Sequence, residues 1–170
     1  MSYLITVVAI VFGVVGIDQL TKYLTVLFLD VGQSVPLWQD VLHFTYVQNK
    51  GMAFGLLAEH RWVFMILSTI AIVGLLFYMV VYRPQNRWVQ VSLSMIIGGG
   101  IGNMIDRIVL GYVVDFIDFT LINFAVFNVA DSFVCIGAGM IVVYLLWDII
   151  RDVKKTNNKV ASVEDNSNEE

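Results

Sequence analysis

The sequence predicts an all-α polytopic membrane protein: four transmembrane helices, a small extracytoplasmic β-sheet and a short interfacial helix. Three observations carry that prediction. Of 170 residues, 58% are hydrophobic and only 14% are charged, against about 45–50% and about 25% in an ordinary soluble domain. The mean hydropathy is +0.78. The apolar residues are gathered in four blocks, each near the ~20 residues that a helix needs to cross the hydrocarbon core. The same composition excludes other classes. A disordered chain would be poor in apolar residues. With 10 basic and 14 acidic residues the net charge is −4, and the basic residues form no patch, so no nucleic-acid partner is expected. A single cysteine permits no intrachain disulfide and argues against a cysteine-ligated zinc site.

The first block runs from Leu4 to Leu29 and is interrupted by Asp18-Gln19 and Lys22. It lacks a basic n-region and is too long for a cleaved signal peptide, so a retained helix is expected. The second, Trp62 to Tyr82, carries no charge. The third, Trp88 to Ile105, is short and contains Gly98-Gly99-Gly100 and Gly102. Gly98 and Gly102 are four apart, a spacing that lets a neighbouring helix approach closely. The fourth runs from about Val129 to Trp147, with Asp131 near its start.

Lysine and arginine orient the helices. Arg83, Arg87, Arg151, Lys154, Lys155 and Lys159 fall on one side, and Lys50, Arg61 and Arg107 on the other. Positive charge marks the cytoplasmic side, so both termini are expected there. Residues 1–153 then form the membrane domain. The polar stretch 154–170, rich in Asn, Ser and Glu, is expected to be a disordered cytoplasmic tail. Two outer segments remain, roughly Asp30–Arg61 and Asp106–Asn128. Val41–Val47 is partly alternating and β-branched or aromatic, and reads as a strand. Asn49-Lys50-Gly51 is a turn signal, and Met52–Trp62 suits the short interfacial helix. Tyr112–Phe119 is a second strand candidate.

The informative residues are polar ones at membrane depth or just outside it. Asp18 lies well inside the first helix, where an ionisable group costs roughly 2.5–3.5 kcal/mol on insertion scales. Lys22, four residues later, lies on the same face and offsets part of that cost as an ion pair. Asn103, Asp106 and Arg107 close the third helix, either as an interface cap or in an electrostatic role near a site, for which arginine suits bidentate carboxylate contacts. The third and fourth helices meet the outer face together, so Asp115 and Asp131 are both anchored there. Asn128 is three residues before Asp131. Two carboxylates at one low-dielectric boundary are the minimum equipment for acid–base hydrolysis: one stays protonated, the other ionised, and they titrate as a pair. The plainer readings are solvated loop carboxylates for Asp115 and Asp118 and a helix N-terminal charge for Asp131. In a strand over 113–119, Asp115 and Asp118 point to opposite faces, so only one can join Asp131. Spacing does not choose between them.

Other motifs fall away. Gly98-Gly99-Gly100-Ile101-Gly102 lacks the spacing and the βαβ setting of a dinucleotide fingerprint. His43 and His60 are isolated, which argues against a metal site. Cys135 has no nearby histidine to activate it, and no Gly-x-Ser-x-Gly elbow exists.

Five motifs occur in order: Asp18-Gln19-Leu20-Thr21-Lys22, Asn49-Lys50-Gly51-Met52-Ala53-Phe54, Gly102-Asn103-Met104-Ile105-Asp106-Arg107, Val113-Val114-Asp115-Phe116-Ile117-Asp118 and Phe127-Asn128-Val129-Ala130-Asp131. Over about residues 4–150 the chain resembles lipoprotein signal peptidase, the bacterial type II signal peptidase. The resemblance implies an intramembrane aspartic endopeptidase of the bacterial inner membrane, with its active site at the extracytoplasmic face. It implies cleavage of prolipoproteins on the amino side of a diacylglyceryl-modified cysteine. It assigns the catalytic dyad to Asp115 and Asp131, and substrate-binding or dyad-supporting roles to Asp18, Asn49, Asn103, Arg107 and Asn128. It implies no metal or organic cofactor. The expected partners are prolipoproteins and membrane lipid. One polar cluster per chain suffices for the chemistry, so a monomer is expected. A rival reading is a small ion-coupled transporter using the intramembrane aspartates, disfavoured by the absence of an internal repeat.

Overall fold

The computed structural model describes residues 2–51 and 61–167. Four helices account for most of it: α1 (Ser2–Phe28), α2 (Arg61–Tyr82), α3 (Arg87–Val109) and α4 (Val129–Ser167). Each is long and apolar enough to cross a membrane. Half of the apolar window of α3 is buried, against 17% for α1 and 6% for α2 and α4. That difference identifies α3 as the central helix. It packs against α4, α1 and α2, whereas α2 rests principally on α3. Large side chains such as Phe12, Ile70, Phe77 and Val143 point outward, as they must where the solvent is hydrocarbon. The buried apolar cluster is small: Val7, Met79, Leu93 and Ile97.

Both ends of α3 have a local cause. Asn86 caps α3, its side chain accepting from the Trp88 N–H at 2.8 Å. At the other end the Leu110 and Gly111 N–H groups both donate to the Asp106 carbonyl, and Gly111 takes a φ of 83° that favours glycine. The helix therefore runs past Ile105, where the apolar block ends, to Val109. Asn103, Asp106 and Arg107 lie within its last turns and do not terminate it.

A three-stranded antiparallel sheet stands at the end of the bundle shared by the C-termini of α1 and α3 and the N-terminus of α4. Its order is β1 (Ser34–Trp38), β2 (Leu42–Asn49), β3 (Val113–Asp118). The two strands expected from the sequence are β2 and β3. The edge strand β1 has no alternating signal, because all five of its residues are exposed and one is Pro36. Between Phe44 and Val47 the β2–β3 register shifts by one residue, a bulge beside Asp115. After β3, a single 3-10 turn (Thr120–Ile122) leads into Phe127, which pairs back onto Ile117.

The interfacial helix expected at 52–62 falls largely on residues 52–60, outside the described residues. The stretch from Lys154, read from the sequence as a tail without structure, continues α4 as helix to Ser167. Neither glycine nor proline follows Gly139 to interrupt it, and propagation adds one hydrogen bond per residue. Residues 151–158 are exposed.

Candidate functional site

Where α1, α3 and α4 converge, the interior is polar. Asp18 is fully buried, and Lys22 and Asp106 are each 3% exposed. The Lys22 ammonium lies 2.9 Å from Asp18 Oδ2 and 3.0 Å from Asp106 Oδ2, and donates to Asn103 Oδ1 at 2.9 Å. The ion pair expected from the i, i+4 spacing is thus a three-way junction. Gln19 donates to Asp18 Oδ2, the Gly102 carbonyl and Asp106 Oδ1. Burying these charges is tolerable because each has partners on more than one element.

The two acids of this cluster also hold the chain that follows. Asp18 Oδ1 accepts the Ala130 N–H at 2.9 Å, an otherwise unsatisfied donor in the first turn of α4. Asp106 Oδ2 accepts the Val114 N–H at 3.0 Å, which pins β3 to α3. So α1 fixes the start of α4, and α3 fixes the strand that carries Asp115. Close approach is needed for this. A Cβ on Gly102 would lie 2.5 Å from Asp18 Oδ2.

Asp115 is 2% exposed. Its Oδ2 accepts from Asn49 Nδ2 at 2.8 Å and its Oδ1 from Asn128 Nδ2 at 2.6 Å. Asn49 is itself oriented, its Oδ1 accepting the Gly51 N–H at 3.0 Å. Burial pushes the Asp115 carboxyl up to about 7. The Asn49 amide opposes that shift, the Asp131 charge adds to it, and the Asn128 amide and the Lys22 charge oppose it.

Asn128 immediately precedes α4 and is its cap. Its Oδ1 accepts the Asp131 N–H at 2.9 Å, and Asp131 Oδ2 accepts the Asn128 N–H at 3.2 Å. This is a reciprocal capping box. The other Asp131 oxygen accepts from Asn103 Nδ2 at 2.7 Å. Asn128 Nδ2 also donates to Asn103 Oδ1 at 3.0 Å. Asn128 is therefore shared by both carboxylates. It is delivered there by Phe127, whose carbonyl accepts the Phe116 and Ile117 N–H groups of β3.

Asp115, Asp131, Asn49, Asn103 and Arg107 line a cleft of about 640 Å³. Arg107 Nη1 donates to the Asn103 carbonyl at 3.3 Å. The rest of the cleft is walled by apolar or small residues of α2, α3 and α4, among them Ala71, Ile72, Leu75, Ile96 and Val134, and by Phe124–Phe127. Asp118 lies apart, accepting from Thr45 Oγ1 at 2.7 Å. The geometry thus brings six of the seven singled-out residues around the cleft or onto the caps that frame it: Asn49, Asn103, Arg107, Asp115, Asn128 and Asp131. Asp18 stands behind them in the ion cluster. Gln19 and Asp106 were not singled out. For Asp106, a carboxylate three residues after Asn103, the sequence leaves an interface cap and an electrostatic role near a site both open, and the structure gives it the second, beside Lys22.

Comparison with known proteins gives the setting. Residues 10–147 match the family signal peptidase (SPase) II. The chain belongs to the signal peptidase II family. The lipoprotein signal peptidase of Brevibacillus brevis is 42% identical over 142 residues, which cover 84% of this chain and 93% of that one. That of Caldanaerobacter subterraneus is 47% identical over 139 residues, covering 82% and 94%. That of Bacillus subtilis is 39% identical over 137 residues, covering 79% and 89%. A solved bacterial membrane enzyme superposes with a TM-score of 0.80 at 35% identity, covering 85% of this chain and 89% of that one. With four helices among the described residues long and apolar enough to span a membrane, this member of the signal peptidase II family is a multi-pass membrane peptidase. The transporter reading has no support in these relationships.

Proposed function

We infer that the chain is an aspartic endopeptidase that removes signal peptides from prolipoproteins, using Asp115 and Asp131 as its dyad. One observation carries this: both carboxylates end at the same cleft and share Asn128 as a hydrogen-bond partner. The environments of the two differ in the way the chemistry needs. Asp131 sits in the first turn of α4, where the helix dipole favours negative charge, and accepts from a backbone N–H and an amide. It is the ionised partner and takes a proton from water. Asp115, pushed up to about 7, is the protonated partner and polarises the scissile carbonyl. A water held between them attacks the carbonyl carbon, and Asn49, Asn103 and Arg107 hold the surrounding polar groups. Fixing bond, water and carboxylates in one place supplies a large part of the barrier reduction.

The apolar cleft suits a lipidated substrate. A signal helix and a diacylglyceryl chain enter from the bilayer between α2 and α4, and the modified cysteine anchors at the interface with the bond on its amino side level with the dyad. The lysine and arginine distribution supports cytoplasmic termini and an extracytoplasmic dyad. One chain contains every group the reaction uses, so a monomer suffices.

Purified protein in lipid should cleave a diacylated prolipoprotein and leave its unlipidated form intact. Asp115→Asn and Asp131→Asn should each insert and fold but lose cleavage by several orders of magnitude. Full activity in either variant overturns the dyad, and equal cleavage of the unlipidated form overturns the substrate class.

A further inference from the structure

Lys22 is absent from the cleft wall and 3% exposed, so no substrate reaches it. Its ammonium has three N–H donors, and all three are engaged: Asp18, Asp106 and Asn103 Oδ1. The third bond concerns the reaction. Asn103 is an amide whose two ends differ. Its Oδ1 receives Lys22 Nζ and Asn128 Nδ2, at 2.9 and 3.0 Å, and its Nδ2 donates to Asp131 Oδ1 at 2.7 Å. Rotated by half a turn, Asn103 would set its NH2 against two donors and its carbonyl against the Asp131 carboxylate. Bonds to an ionised partner are the stronger ones, so the amide is set from its two ends, by the Asp131 carboxylate on Nδ2 and by the Lys22 ammonium on Oδ1, and Lys22 is the one of these that lies outside the dyad.

We propose that Lys22 is a positioning residue for the hydrolysis, which locks the Asn103 amide so that it donates to Asp131 and places a positive charge behind the dyad. This rests on the aspartic dyad argued above. It explains why a lysine, and not only an aspartate, lies deep in α1. Asp18 alone could cap Ala130, but it could not orient Asn103. The charged groups around the dyad come from every element packed there: Asp18 and Lys22 on α1, Asp106 and Arg107 on α3, Asp115 on β3 and Asp131 on α4. Lys22 and Arg107 are the cations of that set, and only Lys22 bonds to Asn103 through a side-chain acceptor.

The test uses the full chain in lipid with a diacylated prolipoprotein. In Lys22→Met, kcat should fall on the order of 10- to 100-fold, as when a residue that orients a catalytic ligand is removed, with KM unchanged. The alkaline limb of the pH profile should move to higher pH, because a cation that favours ionisation of Asp115 has gone. Lys22→Arg should return the limb toward its original position. A purely structural lysine would lower the yield of folded enzyme and leave both kcat per folded molecule and the limb in place, and that result overturns the proposal. Should Lys22→Met fail to insert, the double variant Lys22→Met with Asp106→Asn keeps the net charge of the cluster, and the same two readings decide. Asp115→Asn, run in parallel, separates the two claims: if it cleaves, the dyad has failed, and if it is inert while Lys22→Met matches the original enzyme, only the role of Lys22 has failed.

Discussion

Asp131 has two structural tasks at once, closing the capping box of α4 and facing the cleft beside Asp115. Asn128 likewise caps a helix with its oxygen and holds Asp115 with its nitrogen. With so few atoms serving so many bonds, the proton inventory becomes a matter of residue chemistry. A carboxyl held near 7 loses its proton just above neutrality. On the assignment of Asp115 as the protonated partner, kcat/KM should decline above about pH 7, and a profile flat to pH 9 would refute it. The linkage to stability has the matching sign. The folded Asp115 binds its proton more tightly than the unfolded chain, whose carboxyl titrates near 3.8. Its contribution is full below that value and is lost as pH rises through about 7. The same residue shows what spacing alone leaves open. Asp115 and Asp118 are separated by strand alternation, and nothing local says which faces inward. The deciding contacts come from Asn49 and Asn128, one on a different strand and one beyond a turn.

At the scale of elements, the glycines of α3 set how near the helices come. Gly102 faces Asp18, and a methyl there would need the room now filled by Oδ2. Gly102→Ala should therefore displace Asp18 from both Lys22 and Ala130, at about 1–3 kcal/mol of overpacking, seen as a lowered Tm together with reduced kcat. Gly16→Ala is the control. No atom lies within 4 Å of a Cβ at that position, and alanine is the better helix former, so its Tm should hold or rise. The helices themselves were legible because hydrocarbon imposes length and polarity on them. The close approach of α1 to α3 was legible in the Gly98–Gly102 spacing. β1 was hidden, since an exposed edge strand with a proline carries no pattern. The end of α3 is not legible in the sequence, because polar residues there do not mark termination. Asp106 and Arg107 are polar for the sake of partners on α1 and around the cleft, and the backbone stops only where Gly111 allows it.

On the scale of the whole molecule, the composition that marks a membrane protein also hides the site. Most charged residues lie in the C-terminal stretch or the turns, and the few inside are gathered by tertiary contacts between α1, α3, β3 and α4. Their order along the chain gives no hint of the Lys22 junction beyond one i, i+4 pair. Once the helices pack, that pair becomes the hub from which Asp18 reaches α4 and Asp106 reaches β3.

The loose seating of α2, which rests principally on α3, has a kinetic corollary. With the proposed entry between α2 and α4, the cleft is supplied by diffusion within a sheet of lipid, so the quantity governing encounter is the number of substrate molecules per unit of membrane area. At fixed amounts of enzyme and substrate, adding inert lipid or detergent should slow cleavage in proportion to the substrate's mole fraction in the lipid phase. Doubling the water volume should leave the rate unchanged. Measured this way, the protein would obey surface-dilution kinetics, and rates that followed bulk concentration would mean that substrate arrives from the aqueous side.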